Sequence, residues 1–166
     1  VNFENKLFFN TREVLYDKNK KQILNNNFST FKDNFGNKIS SEKTKYLFNQ
    51  DLLKINLVKM ADQINNKYFF ENAIIDFKNS EVIGDNVKID FFKNSFDNKE
   101  NDPRLRGNYF YSDNNYSLIK KGVFTTCKKK GDECPPWQFK AQEIKHDKSK
   151  KTIYYKNAWL EIYDKP

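Results

Sequence analysis

The sequence predicts an all-β protein built from stacked antiparallel hairpins, and three observations lead there. Apolar side chains recur with a period of two. Polar turn clusters return at regular intervals between the apolar runs. No segment combines a helical apolar face with helix caps. Similar hairpins with no helix between them assemble as a sandwich, a jelly roll or an open β-roll. A closed solenoid of shorter coils is the runner-up.

The strands can be read in order. In "LLKINLVKM", Leu53, Ile55 and Leu57 alternate with Lys54 and Asn56. In "NVKIDFF", Val87, Ile89 and Phe91 alternate with Lys88 and Asp90. In "WQFKAQEI", Trp137, Phe139 and Ala141 alternate with Gln138, Lys140 and Gln142. In "TIYYKNAWLEIY", Ile153 and Tyr155 share one face, and Ala158, Leu160 and Ile162 continue one residue out of step, which predicts a bulge near Asn157. The pattern is weakest in "ADQINNKYFFEN", residues 61–72.

Five segments repeat a hairpin with a polar turn: "EVLYDKNKKQIL", "KYLFNQDLLKIN", "IIDFKNSEVIG", "YFYSDNNYSLIKK" and "IKHDKSKKTIYY". With Tyr16, Phe48, Phe77, Ser112 and His146 as equivalent points, an isoleucine follows seven residues later in four of the five: Ile23, Ile55, Ile119 and Ile153. The third repeat is a residue short and offers Ile83 instead. Each turn is rich in Asp, Asn or Lys, as hairpin connections require.

At 166 residues, one domain spanning 1–166 is expected. Hydrophobic residues make up 37% and aromatics 16%, enough for a core and too much for a disordered chain. The excess of Lys, Asn, Ile, Phe and Tyr reads as codon bias from an AT-rich genome. The net charge is +8, and residues 120–151 carry ten lysines against four carboxylates, so most of the excess is local. A basic field of this kind favours anionic partners: nucleic acid, anionic lipid or phosphorylated glycolipid. Lysines scattered over solvated faces are the plainer reading. No apolar run approaches the ~20 residues of a spanning helix, and no signal peptide is visible. The chain begins at Val1 in mid-pattern and stops at "EIYDKP", which reads as an excised domain.

Catalysis finds little support. The single histidine, His146, sits in a lysine-rich turn beside Asp147 and reads as ordinary surface. There is no Gly-rich phosphate loop, nucleophile elbow or HExxH, and the carboxylates form no clear pair. The chain is therefore expected not to be an enzyme and to need no cofactor. Cys127 and Cys134 lack the further ligands of a closed zinc site. Their spacing excludes a thioredoxin-type CxxC. A disulfide, local or to a partner elsewhere, and two free thiols stay open. Single-stranded nucleic acid is a weaker alternative: "YFYSDNNYSLIKKGVF" interleaves aromatics and cations. Against it, no RNP, OB, KH or homeodomain signature is present, and arginine occurs only at Arg12, Arg104 and Arg106.

The C-terminal motifs carry a family resemblance. Phe124-Thr125-Thr126-Cys127 is followed by a Pro-containing loop, then Trp137-Gln138-Phe139-Lys140-Ala141, Ile144-Lys145-His146-Asp147 and Ile153-Tyr154-Tyr155-Lys156-Asn157-Ala158. This ordered string resembles the periplasmic N-terminal domain of the LptD (organic solvent tolerance) family of LPS-assembly proteins. It covers residues 100–166 well, while 1–100 match only the looser hairpin repeat of OstA-like domains. The resemblance implies an open, V-shaped β-jelly roll with an apolar interior. It implies a place at the periplasmic face of the outer membrane, with a membrane barrel following residue 166. The implied job is to bind the acyl chains of lipopolysaccharide and pass it from a periplasmic bridge to that barrel. A soluble LptA- or LptC-like bridge module is the alternative. The implied partners are lipopolysaccharide, an LptA-like bridge protein pairing at the N-terminal edge (residues 6–16), and an LptE-like lipoprotein held by the barrel. Candidate groove residues are Phe69, Ile75, Phe77, Val87, Ile89, Phe91, Trp137, Phe139, Ile153 and Tyr155; the same inward pattern would serve an ordinary core. Cys127 falls where the family carries a cysteine that bridges to the barrel, and Cys134 matches an extra cysteine of some relatives. The resemblance thus implies an oxidised Cys127 with its partner outside this fragment, and a local Cys127–Cys134 bridge is the alternative.

Overall fold

The computed structural model describes residues 2–3, 7–33, 36–93, 100–129, 131 and 135–163. The chain is all-β. Its strands are β1 (Asn2–Phe3), β2 (Leu7–Asn10), β3 (Leu15–Asp17), β4 (Gln22–Asn25), β5 (Ser29–Asp33), β6 (Lys38–Ser41), β7 (Lys43–Leu47), β8 (Leu52–Ala61), β9 (Lys67–Asp76), β10 (Glu81–Asp90), β11 (Arg104–Ser112), β12 (Tyr116–Thr125), β13 (Trp137–Asp147) and β14 (Thr152–Ile162). Among the described residues they form one antiparallel sheet of 14 strands that does not close into a barrel. The weakly patterned 61–72 region supplies the end of β8 and the first half of β9.

The sheet forks at β8. Its first half pairs with β7, and through β7 with β4 and β3. Its second half pairs with β6, and through β6 with β5, β2 and β1. Strands β9 to β14 run unbroken through both halves. The two halves are called arm A, which carries the β3, β4 and β7 side, and arm B, which carries the β2, β5 and β6 side.

The boundary between the arms is a line of residues set opposite one another across seven strands: Leu57, Glu71, Asn86, Asn108, Lys121, Gln142 and Asn157. On every second strand the residue in this line is left-handed: Leu57, Asn86, Lys121 and Asn157 have φ of 46 to 50°. A left-handed residue reverses the pleat, so two successive side chains point outward and the inward set changes parity. In β8 the buried positions are Leu53 and Ile55, then Val58. In β13 they are Ala141, then Ile144. Every strand changes parity in the same row, so the registers stay continuous and the sheet creases. The bulge expected near Asn157 is one end of this crease.

Two rows of inward side chains flank the crease, and their sizes complement each other. Where arm A is small, at Ala73 and Gly84, arm B supplies Phe70 and Val87. Where arm B is small, at Gly107, Gly122 and Ala141, arm A supplies Phe110, Ile119 and Ile144. A Cβ on Gly84 would stand under 3.0 Å from the Phe70 ring, one on Gly107 equally close to Ile119 Cγ2, and one on Gly122 equally close to Ile144 Cδ1. Large side chains therefore lie in space that the glycines leave, and the arms close tightly along the fold.

Toward the N terminus the crease becomes a break: one residue (Glu42) between β7 and β6, three (26–28) between β4 and β5, and four (11–14) between β3 and β2. Here buried polar side chains replace the apolar packing. Asn25 donates to Ser29 Oγ across the gap, and Ser41 Oγ lies 3.1 Å from Thr44 Oγ1. All four residues are at most 4% exposed, so these bonds satisfy groups that would otherwise be buried unpaired.

The five repeated hairpins all turn at the outer end of arm A. Asp17, Asp76, Asp113 and Asp147 open four of these turns, and a carboxylate oxygen of each accepts backbone N–H groups at 2.8–3.0 Å. Those bonds hold Asp76, Asp113 and Asp147 below the usual carboxylate range. Tyr16 and Ile23, and His146 and Ile153, sit opposite each other as the seven-residue spacing requires. In the second and third hairpins the matching pairs are Tyr46–Leu53 and Ile75–Val82, two residues ahead of the expected Phe48 and Phe77. The fourth turn is tighter and sets Ser112 opposite Ser117. A shift of two leaves a strand's faces unchanged, so alternation alone does not reveal it.

Candidate functional site

The inner faces of the two arms enclose an apolar cavity of about 630 Å³ that opens to solvent. Arm B contributes Met60, Tyr68, Ile89, Phe91, Leu105 and Phe124. Arm A contributes Ile75, Val82, Phe110, Ile119, Ile153 and Tyr155. On β10 the lining residue Ile89 is buried and Val82 half-buried, whereas Ile153 and Tyr155 on β14 are about half exposed, so the cavity communicates with solvent along the β14 edge. Its volume lies within the range of pockets that take small organic ligands. Near the hairpin end of arm A the lining turns polar: Ser112, Ser117, His146 and Lys148. The two serine hydroxyls lie 2.9 Å apart, and Lys148 Nζ donates to Ser112 Oγ at 3.0 Å and to the Asp113 carbonyl. His146 is exposed as expected of a surface histidine, and it also borders the cavity.

Of the groove candidates, Ile75, Ile89, Phe91, Ile153 and Tyr155 line the cavity. Val87 is buried at the crease instead, and Phe77 packs against the core beside Tyr46, with ring centroids 6.4 Å apart. Trp137 and Phe139 are not in the lining but pack against it, on Phe124 and Tyr155, with centroids 6.3 and 4.9 Å apart. Phe69 stands on the opposite face of the sheet, beneath the Lys88 ammonium at 5.3 Å. The reason is the crease. Counting by twos from Ile75 and Phe77 back to Phe69 crosses Glu71 and Asn72, where the parity changes, so Tyr68 and Phe70 face inward. The same polar pair in mid-strand marks Phe110, Ile119 and Ile144, which single-strand alternation overlooks.

Tyr68 is anchored at one end of the cavity, where its hydroxyl donates to Asp62 at 3.2 Å. Burial first, and the Asp62 charge second, push its pKa up to about 12. The rings in "YFYSDNNYSLIKKGVF" are engaged within the fold. Phe110 is buried, Lys120 lies over Tyr109 and Lys145 over Tyr116, and the Tyr111 hydroxyl donates to Glu81 and Asp113.

Cys127 lies in the β12–β13 loop at the outer end of arm B, away from the hairpin turns of arm A. It is half-buried, has no disulfide partner among the described residues, and its Sγ lies 3.8 Å from the Trp137 carbonyl. Its amide donates to Thr125 Oγ1 at 3.2 Å, and its carbonyl accepts from Arg104. Asp102 ties the neighbouring loop to this one, accepting from Lys129 N at 2.9 Å and facing Lys93 Nζ at 3.1 Å. The Lys129 bond first, and Lys93 second, hold its carboxyl below the ordinary range. Cys134 lies outside the described residues. Among the described residues, no group of three potential ligands could hold a metal ion.

Of the expected N-terminal edge, residue 6 lies outside the described residues, and the rest divides between the arms. Strand β2 is paired on both sides, by β1 and β5, whereas among the described residues β3 pairs only with β4. At the far side, β14 pairs only with β13 among the described residues.

No protein-family model matches the chain, and no curated protein matches it.

Proposed function

We propose that the cavity between the arms binds the acyl chains of lipopolysaccharide, and that the domain passes this lipid between a periplasmic bridge and an outer-membrane barrel, as the resemblance to the LptD family implies. The carrying observation is an apolar cavity of about 630 Å³, formed inside a creased sheet and open along the β14 edge. An acyl chain exposed to water costs about 0.8 kcal/mol per CH2, and this interior offers it aliphatic and aromatic walls. Polar lining is concentrated near one end, where Lys148 and His146 can face a phosphorylated head while the tails lie deeper. In this reading the unpaired side of β3 takes the strand of an LptA-like bridge by β-augmentation. An LptE-like lipoprotein belongs to the barrel. Cys127 is oxidised in the intact protein and tethers the roll to the barrel.

A photo-crosslinking amino acid tests the groove. Placed at Phe91 or Ile153 it should capture lipopolysaccharide, and placed at Phe69, on the outer face, it should not. Equal labelling inside and outside would reject a conduit. The soluble-bridge alternative uses the same cavity and is favoured by the unpaired edge at β14. Gene sequence running on past Pro166 into several hundred residues of alternating strands would reject it, and a stop codon there would reject the barrel.

A further inference from the structure

We propose that the outer face of arm B docks onto an anionic bilayer surface, a role independent of what the cavity holds. Lys32, Lys38, Lys59, Lys67, Lys88 and Arg106 point outward from neighbouring strands β5 to β11, in two adjacent cross-strand rows. The sheet register sets Lys32 directly opposite Lys38, and Lys88 directly opposite Arg106. Like charges held face to face oppose folding, and a surface that concentrates them gains most when an anion neutralises it. Asp90 is the nearby carboxylate in these rows, and it is already shared by Arg106 at 3.6 Å and Lys129 at 2.9 Å. Among the described residues, none of the five lysines has a carboxylate within ion-pair distance.

The shape and chemistry favour lipid over nucleic acid. The cations span six strands about 4.8 Å apart, a broad area on one side of a sheet that suits a plane of phosphates. Phe8 stands opposite Lys32 at the end of one row, 56% exposed and able to enter the headgroup layer. The aromatic ring amid the cations, Phe69, is part-exposed and carries the Lys88 ammonium over one face, which a stacking base would have to displace.

Flotation with phosphatidylcholine vesicles, with and without phosphatidylglycerol, tests the proposal. The 166-residue chain should float only with the anionic vesicles, and high salt should release it. A Lys59→Glu, Lys67→Glu, Lys88→Glu variant should lose at least about a hundredfold in partitioning. A control of the same net charge, Lys45→Glu, Lys54→Glu, Lys145→Glu on the outer face of arm A, should lose far less. Equal binding to neutral vesicles would overturn the proposal, as would equal losses in the two variants. Displacement from anionic vesicles by a single-stranded oligonucleotide at lower phosphate concentration would also overturn it. Lys88→Glu alone turns the opposition with Arg106 into an attraction and should raise the unfolding midpoint. A lower midpoint would remove the charge-crowding argument.

Discussion

The glycines at the crease differ in what they would meet if enlarged, and this sets the cost of changing them. At Gly107 a new methyl would face Ile119 Cγ2, a branch fixed at Cβ, with the Lys120 carbonyl at 3.1 Å. The carbonyl cannot withdraw without moving backbone, and Cγ2 only by leaving its preferred χ1 rotamer, so Gly107→Ala should lose about 1–3 kcal/mol. At Gly122 the opposing atoms are Ile144 Cδ1 and, at 2.9 Å, Cγ1, with no backbone atom among the nearest, so Gly122→Ala should lose less. Denaturant midpoints of the two variants check the order, and equal losses would contradict it. A second single-residue effect is Glu161 on β14. Its carboxylate accepts from Lys140, Trp159 and Gln138, the Lys140 bond counting most, and its pKa falls from 4.5 to about 2. A depressed pKa contributes stability that is complete above the unfolded value and is lost as pH falls toward the folded one. Between about pH 4.5 and 2, Glu161→Gln should therefore flatten the decline in stability. Urea midpoints across that interval measure it, and parallel declines in the two proteins would contradict it.

At the scale of elements, the crease carries four left-handed residues: Asn86 and Asn157 suit that conformation, whereas Leu57 and Lys121 do not. Leu57 has φ 48° and a side chain 41% exposed, so it bears a steric cost with little burial in return. Leu57→Asn should raise stability by up to about 1 kcal/mol, because Asn tolerates this region. Leu57→Val should lower it, because branching at Cβ worsens the clash. A gain with Val would contradict the strain. At the broken end of the crease, Asn25→Leu leaves Ser29 without one of its partners and should lose about 1–3 kcal/mol despite the added apolar surface. Much of this element structure was legible in the sequence. The alternation in 53–60, 87–91, 137–142 and 153–162 places real strands, and the five polar turns are real turns. The parity change is legible at Asn157 because Lys156 and Asn157 interrupt an otherwise clean alternation. It is not legible at Glu71–Asn72 or Lys120–Lys121, where alternation alone puts an inward residue on the wrong face or passes over it. No local signal says that seven such interruptions share one row, because that alignment exists only once the strands are paired. Nor does alternation distinguish Ile89, which borders the cavity, from Val87, which packs into the crease, since both are buried aliphatic residues on one face.

For the molecule as a whole, the consequence of an open sheet is an exposed last strand. All of residues 152–160 in β14 are exposed, including Trp159 at 45% and Leu160 at 48%, and β14 has no partner beyond β13 among the described residues. Long apolar edges recruit further strands. Sedimentation velocity on the 166-residue chain should show association that grows with concentration. A Trp159→Lys, Leu160→Lys variant should suppress it, and unchanged association would place the contact elsewhere. The way the two arms are joined has a mechanical consequence as well. From β9 to β14 every strand crosses the crease as unbroken backbone, so spreading the arms there would strain the ladders themselves. From β2 to β7 the crossing is interrupted, and a few side-chain bonds such as Asn25–Ser29 and Ser41–Thr44 hold the arms together. The fold thus carries a gradient of compliance along its length, with a yielding throat near the N-terminal strands and a nearly fixed gauge toward β14. A long, flexible guest moving through it would meet a bore that can dilate at one end only.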